Sequence, residues 1–224
     1  MNTGNLDIAV VIPTLNAAAT LPHTLRAIAG VADIVVVDGN SQDATARIAS
    51  AAGARVLTAA RGRGGQIAAG IAATQHAWLL ILHADTILSP EWREAARLHM
   101  AAGKIRAGYF RFTLDSPNRR ARRLERAVAW RCRWLVLPYG DQGLLIHRDL
   151  LNAVGGMHPL PLMEDVDLIR RLGRTRLALL DAAATTSAAK WERDGWTRRS
   201  ARNLVCLSLW FAGVPPQIIA RLYI

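Results

Sequence analysis

Four times in the first hundred residues, a short run of β-branched or leucine-rich residues is followed by a segment whose apolar positions fall at helical spacing. "DIAVVIPTL" opens the series and is followed by a helix over residues 18–30; "DIVVVDG" comes next, with a helix from Asp43 or Ala44 to Gly53. "ARVLTA" precedes a helix over 66–75, and "AWLLILHADT" one over 90–103. Strands that are apolar on both faces and separated by helices predict an α/β domain: a Rossmann-like, mostly parallel sheet with helices on both faces.

In such sheets ligands bind beyond the carboxyl ends of the strands. Here strand one ends in Thr14 and Asn16, strand two in Asp38, strand three runs into Arg61 and Arg63, and strand four ends in His83 and Asp85. A single polar residue at a strand end is ordinarily a cap or turn former, which is the role expected of Asp43 and Ser89. Four such ends on one edge predict a ligand site assembled from several loops.

The second half is less regular. "RAGYFRFTL" reads as a strand, 119–135 as a strongly basic helix, "GDQGLLIHR" as another strand and 150–155 as a short helix. "PLMEDVDLIRRLGR" places an acidic pair at a helix start near Glu164, "LALLDAAATTSA" is a late strand, and 198–212 a last helix stopped by Gly213 and Pro215. The 224 residues are 51% hydrophobic and contain no repeat or low-complexity linker. One continuous domain over 1–224 is therefore expected, ordered except in its first few residues. Cys132 and Cys206 are far apart and lack metal-ligand spacing, so they predict neither a disulfide framework nor a zinc site.

The formal net charge of +11 favours anionic partners such as nucleotides, nucleic acid or acidic lipid. Two basic residues, Lys104 and Lys190, are lysines and the rest arginines, so with the high alanine content compositional bias is an equal explanation. No nucleic-acid-binding motif accompanies the charge, and no nucleic-acid partner is expected. The helix with Arg119, Arg120, Arg122, Arg123, Arg126, Arg131 and Arg133 reads either as a solvated face or as a contact for an acidic membrane surface. "NLVCLSLWFAGV" is too short to cross a bilayer and is open between core packing, a homodimer contact and interfacial insertion. "MNTGNLD" lacks a secretory signal, so a cytoplasmic protein is expected, with peripheral attachment to the inner face of the membrane as the variant the basic helix would allow.

A lone Asp85 makes a divalent-metal site only if substrate phosphate completes the shell, and "RGRGGQ" supplies guanidiniums and backbone amides suited to a diphosphate. A solvated loop is the plainer reading of Arg61 and Arg63. The segment lacks the Lys-Ser/Thr of a P-loop, and no G-x-G-x-x-G follows strand one, which weakens nucleoside triphosphatase and dinucleotide readings. Glu164 and Asp165 suit a helix N-terminus without any catalytic task. Apolar Leu162 and Met163 before them imply enclosure, which raises a carboxylate's pKa and improves it as a general base.

"VIPTLNAA", "VVVDGNSQDAT", "LLILHADT", "GDQG" and "MEDVDLIRRL", in that order along nearly the whole chain, resemble the family 2 glycosyltransferases of the GT-A fold. "HADT", "GDQG" and "PLMEDV" are similar especially to a small bacterial subgroup associated with arsenosugar biosynthesis. The resemblance implies inverting transfer of a sugar from a nucleotide-diphosphate donor to an acceptor hydroxyl, with residues 1–103 binding the donor and 104–224 the acceptor. It places Thr14, Asn16 and Asp38 at the nucleoside and Arg61 and Arg63 near the diphosphate. Asp85 matches the last carboxylate of the family's metal-binding Asp-x-Asp, so a divalent ion, Mn²⁺ or Mg²⁺, is implied. Asp165 matches the catalytic base, with Glu164 beside it. Three positions depart from the pattern: His83 replaces the first Asp of the metal motif, as a weaker ligand or a direct phosphate contact, Ala17 stands where many relatives have Glu, and Gly39 where many have a second Asp. Asp141 and Gln142 are candidate acceptor contacts, a turn-forming role being the alternative. A nucleotidyltransferase of similar sheet and a non-catalytic basic binding module are the rival readings.

Overall fold

The computed structural model describes residues 6–223. The expected disorder of the first few residues therefore lies outside the described residues. Strands are β1 (Leu6–Thr14), β2 (Val31–Asp38), β3 (Arg55–Thr58), β4 (Trp78–Ile81), β5 (Thr86–Leu88), β6 (Ala107–Leu114), β7 (Leu144–His147) and β8 (Leu177–Thr186). Helices are α1 (Leu21–Ile28), α2 (Thr45–Ala51), α3 (Arg63–Ala72), α4 (Trp92–Ala101), α5 (Arg119–Leu135), α6 (Arg148–Ala153), α7 (Glu164–Leu172), α8 (Ala189–Asp194), α9 (Trp196–Phe211) and α10 (Pro216–Tyr223).

The strands form one sheet in the order β3-β2-β1-β4-β7-β6-β8-β5. The first four in this order are mutually parallel, so their carboxyl ends share one edge. β7 then runs antiparallel to both β4 and β6, β8 is parallel to β6, and β5 is antiparallel to β8. The period-2 alternation of a strand sends Ile8, Val10 and Ile12 to one face with Leu21, Leu25 and Trp92, and Ala9 and Val11 to the other with Ile67, Val128 and Leu168. Helices thus cover both faces, as the doubly apolar strands predict. α1, α2 and α4 contribute to one core, and α3, α5, α7 and α9 to the other.

Several local expectations differ from the structure for identifiable reasons. α3 begins at Arg63 rather than Gln66, because the glycines of "RGRGGQ" serve close packing: a Cβ on Gly64 would lie 2.5 Å from the His158 carbonyl oxygen and 2.6 Å from the Leu160 nitrogen. "GDQG" is a 3₁₀ turn at Gly140–Gln142 instead of the start of a strand, and it ends at Gly143 with φ +63. β5 escaped sequence reading because three residues carry too little pattern to register. The last helix of the sequence reading, 198–212, is α9; two further helices went unread, α8 before it and α10 after it, starting at Pro216. Proline is tolerated in a helix's first turn because the missing N–H has no intrahelical acceptor there, so these prolines open a helix as well as closing one. Among the described residues no helix is long and apolar enough to cross a membrane.

α3 lies against β1 and β2 through Gly70, where a Cβ would stand 2.5 Å from Val11 Cγ1 and 2.9 Å from Val37 Cγ2. Gly70→Ala should gain about 1 kcal/mol of helix propensity yet lose about 1–3 kcal/mol to overpacking. A net loss is expected in the urea midpoint; a gain would mean that α3 moves off the sheet freely.

Candidate active site

The shared strand edge is stitched together before any ligand is considered. Thr14 and Asp38 sit opposite each other in the β1–β2 register, and the Thr14 hydroxyl donates to Asp38 Oδ1 at 3.0 Å. Asp38 also accepts from the Ser41 amide at 2.8 Å and its hydroxyl at 2.5 Å. Asn16, held at φ +50, accepts from the Gln42 amide at 2.8 Å and donates its own amide to Ser41 Oγ at 2.8 Å. The loops after β1 and β2 therefore form one crest. Buried Gln66 fixes its floor, its amide donating to the carbonyls of Thr14 at 2.8 Å and Val37 at 2.7 Å. That amide also accounts for Gly39, since a Cβ there would lie 3.1 Å from Gln66 Nε2 and 3.2 Å from the Thr14 oxygen.

Beside this crest a cavity of about 120 Å³ opens, with Arg63, His83, Asp85, Asp141 and Asp165 in its wall. Its lining does not include Thr14, Asn16, Asp38 or Arg61; Arg61 stands exposed in the turn before α3. Asp85 follows β4 in a turn that α1 and β8 hold, for Thr24 donates to the Ala84 carbonyl at 3.1 Å and the Ser187 amide to the Asp85 carbonyl at 3.2 Å. The β5–β8 pairing, Thr86 opposite Thr186, then returns the chain so that Lys190 Nζ reaches Asp85 Oδ2 at 2.9 Å. Burial works against the charge on Asp85, but Lys190 and the other neighbours outweigh it and hold the carboxyl below its usual range.

On the opposite wall, Met163 adopts a left-handed conformation at φ +63, uncommon for a residue with a Cβ, and turns the chain into α7. Glu164 then points inward and Asp165 into the cavity. Asp165 is oriented by two backbone donors, Gly140 N–H to Oδ2 at 2.8 Å and Val166 N–H to Oδ1 at 2.8 Å. Gly140 has to be glycine: a Cβ would stand 2.5 Å from His83 Nε2. Burial, with Arg63 near, pushes His83 down to about 4 against the pull of Asp85 and Asp165, leaving a neutral imidazole at physiological pH. Asp141 is pushed up to about 6 by burial, Arg131 pulling the other way, and its Oδ1 has no hydrogen-bond partner.

Two sequence expectations need correction. Gln142 was a candidate acceptor contact, but it is 2% exposed and fully engaged within its own turn. Its amide donates to the Phe110 carbonyl at 3.0 Å, and its oxygen accepts from the Tyr139 amide at 3.2 Å and the Cys132 thiol at 3.2 Å. It braces the loop that presents Asp141. Glu164 was placed beside the base as a catalytic group; its side chain is 0% exposed, lies 2.8 Å from Arg63 Nε, is absent from the wall of the polar cavity, and borders with Asp165 and His83 a smaller apolar cavity of about 30 Å³ behind it. It anchors Arg63 instead.

Sequence reasoning missed the wall contributed by the last helices: Lys190, Trp191, Arg199, Asn203 and Tyr223. Arg199 is buried, donates to Asp194 at 2.8 Å and lies over the Trp191 ring at 5.1 Å. One signal was available. Lys190 is one of only two lysines in a chain otherwise supplied with arginine, and it lies in the first turn of the helix that follows β8.

With this geometry in place, the profile of glycosyl transferase family 2 matches residues 9–160. Among solved structures, glucosyl-3-phosphoglycerate synthase from Mycobacterium tuberculosis with Mn²⁺ and UDP-glucose superposes at TM-score 0.61 and 21% identity, covering 95% of this chain and 80% of that one. S. aureus TarS 1-349 superposes at 0.63 and 14% identity, covering 96% and 69%. A mycobacterial protein at 24% identity and TM-score 0.58 shares 82% of this chain, which spans 65% of its length. At these identities the likeness is one of fold.

The Arg63–Glu164 pair responds unevenly to its surroundings. Burial disfavours the charge on Arg63, but Glu164 and Asp165 outweigh it and raise the guanidinium's pKa; burial pushes Glu164 up to about 7 despite Arg63. Because the folded pKa of Glu164 exceeds its unfolded value of 4.5, the folded state binds the extra proton. Its stabilising effect is complete below pH 4.5 and is lost as pH rises through about 7. Glu164→Gln should therefore flatten the decline in stability across this window, a difference on the order of 3 kcal/mol between its ends. Urea denaturation of both proteins at several pH values checks it; parallel curves would refute the assignment.

Proposed function

Because the chain belongs to glycosyl transferase family 2, we propose that it moves a sugar, with inversion at the anomeric carbon, from a nucleotide-diphosphate donor to an acceptor hydroxyl. The observation that carries this reading is the meeting of Asp85, Asp141 and Asp165, remote in sequence, with Arg63 and Lys190 around one cavity. Asp165, held by two backbone N–H groups, takes the proton from the acceptor hydroxyl as its oxygen bonds to the anomeric carbon. The bond from that carbon to the diphosphate breaks, and the departing charge falls to Arg63 and Lys190. Thr14, Asn16 and Asp38 on the neighbouring crest hold the nucleoside side of the donor, and Arg61, exposed before α3, approaches the diphosphate with Arg63. Residues 1–103 thus serve the donor, and the later half shapes the acceptor side through Asp141 and the α8–α10 wall.

Among the described residues no three His, Cys, Asp or Glu side chains are gathered for a metal, so a divalent ion would fit here only with two protein donors and a shell completed by water and the donor's diphosphate. Asp85 faces the cavity, the neutral imidazole of His83 keeps a lone pair for a metal, and the unpartnered oxygen of Asp141 borders the same space. Mn²⁺ or Mg²⁺ held by Asp85 and His83 would neutralise the diphosphate. The Mn²⁺ and UDP-glucose in the mycobacterial synthase agree with this choice of ion and donor class. Lys190 and the ion compete for the same carboxylate, so the chain carries a built-in alternative cation. Within the family, our placement in the arsenosugar-associated subgroup rests on "HADT", "GDQG" and "PLMEDV" alone.

Asp165→Asn should lower kcat by about 10³-fold or more while donor affinity changes only a few-fold, with nucleoside diphosphate and not pyrophosphate as the product of the native protein. Turnover surviving in this variant would remove Asp165 as the base. Lys190→Ala should tighten Mn²⁺ binding about two- to fivefold in a titration followed by electron paramagnetic resonance, the range expected for loss of a partly exposed competing ion pair. Unchanged affinity would place the ion away from Asp85.

A further inference from the structure

α5 turns its small and apolar residues Ala121, Val128 and Cys132 inward, and two of its arginines work for the fold. Arg122 donates to the carbonyls of Leu114 and Ser116 at 2.9 Å, and Arg131 donates to the Leu137 carbonyl at 2.8 Å and stacks 3.4 Å from the centroid of the Tyr139 ring. The outward face is different in kind. Arg119, Arg123, Arg126, Trp130, Arg133 and Trp134 follow one another at helical spacing, all exposed, and none of these arginines is in an ion pair among the described residues. Trp130 and Trp134 are 58% and 59% exposed, and Leu135 at the helix end is 53% exposed.

A merely solvated basic face does not account for the indoles, which leave large apolar surface in water one helical turn apart. We infer that this face of α5 docks on an anionic lipid bilayer. Guanidiniums along its first turns meet phosphate headgroups, while the two indoles and Leu135 at the other end enter the interfacial layer, where tryptophan's apolar body and single N–H are both satisfied. Charge complementarity selects the partner, and the exposed Leu135 beside the two indoles, an aliphatic group with no base to stack on, favours a bilayer over a nucleic-acid strand. The site also sits close to the chemistry: Arg131 of the same helix stacks on Tyr139, and Tyr139 lines the cavity with Asp165. Docking through α5 therefore brings the cavity near the membrane surface. The inference stands on the helix face and is independent of the reaction proposed above.

The test is co-sedimentation of the full chain with phosphatidylcholine vesicles, alone or with about 30 mol % phosphatidylglycerol, at rising salt. Binding is expected only to the anionic vesicles and should fall steeply with salt. Brominated lipids should quench part of the tryptophan emission, and Trp130→Phe with Trp134→Phe should abolish that quenching. Arg123→Glu with Arg126→Glu should weaken vesicle binding about tenfold or more without changing the melting temperature appreciably. Equal binding to neutral and anionic vesicles, no binding at physiological salt, or preference for a single-stranded oligonucleotide over the vesicles would each overturn the inference. The last result would assign the face to nucleic acid.

Discussion

The pairing of Arg63 with Glu164 is the contact on which the cavity's geometry depends. It joins the start of α3, in the first half of the chain, to the start of α7, in the second, at 2.8 Å and with the carboxylate wholly enclosed. A charge removed from water this completely is costly unless a partner is close, and removing one member of such a pair generally destabilises by more than the pair itself contributes. The glycines around Arg63 make the approach feasible: Gly64 lets the 158–161 segment lie against the helix start, and the Gly64 amide donates to Leu160 at 3.2 Å. From there the chain reaches the left-handed Met163 with little freedom left, so Glu164 and Asp165 are aimed by backbone geometry more than by their own rotamers.

This arrangement separates two adjacent carboxylates into different roles. Glu164 faces a neighbouring cation in a dry environment that favours its protonated form, while Asp165 faces the cavity and is oriented by the amides of Gly140 and Val166. The Gly140–Gln142 turn is in turn supported from below by Gln142, whose side chain closes hydrogen bonds to β6 and α5. The groups around the cavity are thus placed by packing and hydrogen bonds internal to the protein, which lowers the ordering cost that binding would otherwise carry.

Much of the fold was legible because the first four strands are apolar on both faces and the helices between them keep a steady period. α5 was read with its observed limits, Asn118 accepting from the Arg120 amide at 2.9 Å as a helix cap should. Glycine and proline were harder to interpret. In "RGRGGQ" glycine looked like a flexible anion-binding loop, yet Gly64 is needed for close packing, a distinction that depends on a segment almost a hundred residues away in sequence. Pro215 looked like a stop, and the adjacent Pro216 proved to be a start. At the candidate site, the strand-end rule led to His83 and Asp85 because it depends only on local sequence order. Lys190 and Arg199 were not found because their place is set by the β5–β8 pairing and the packing of α8 on α9, which are tertiary facts. Gln142 misled because a buried amide and a ligand-binding amide have the same sequence signature.

The family profile ends at residue 160, whereas Lys190, Trp191, Arg199, Asn203 and Tyr223 of the cavity wall all lie beyond it. Asp165 and Thr186 of the same cavity lie beyond it as well. Side chains on α8, α9 and α10 shape this wall, whereas the strand edge that presents Asp38 and Asp85 belongs to the sheet, so substitutions on the three helices would remodel one side of the cavity and leave the sheet edge as it is.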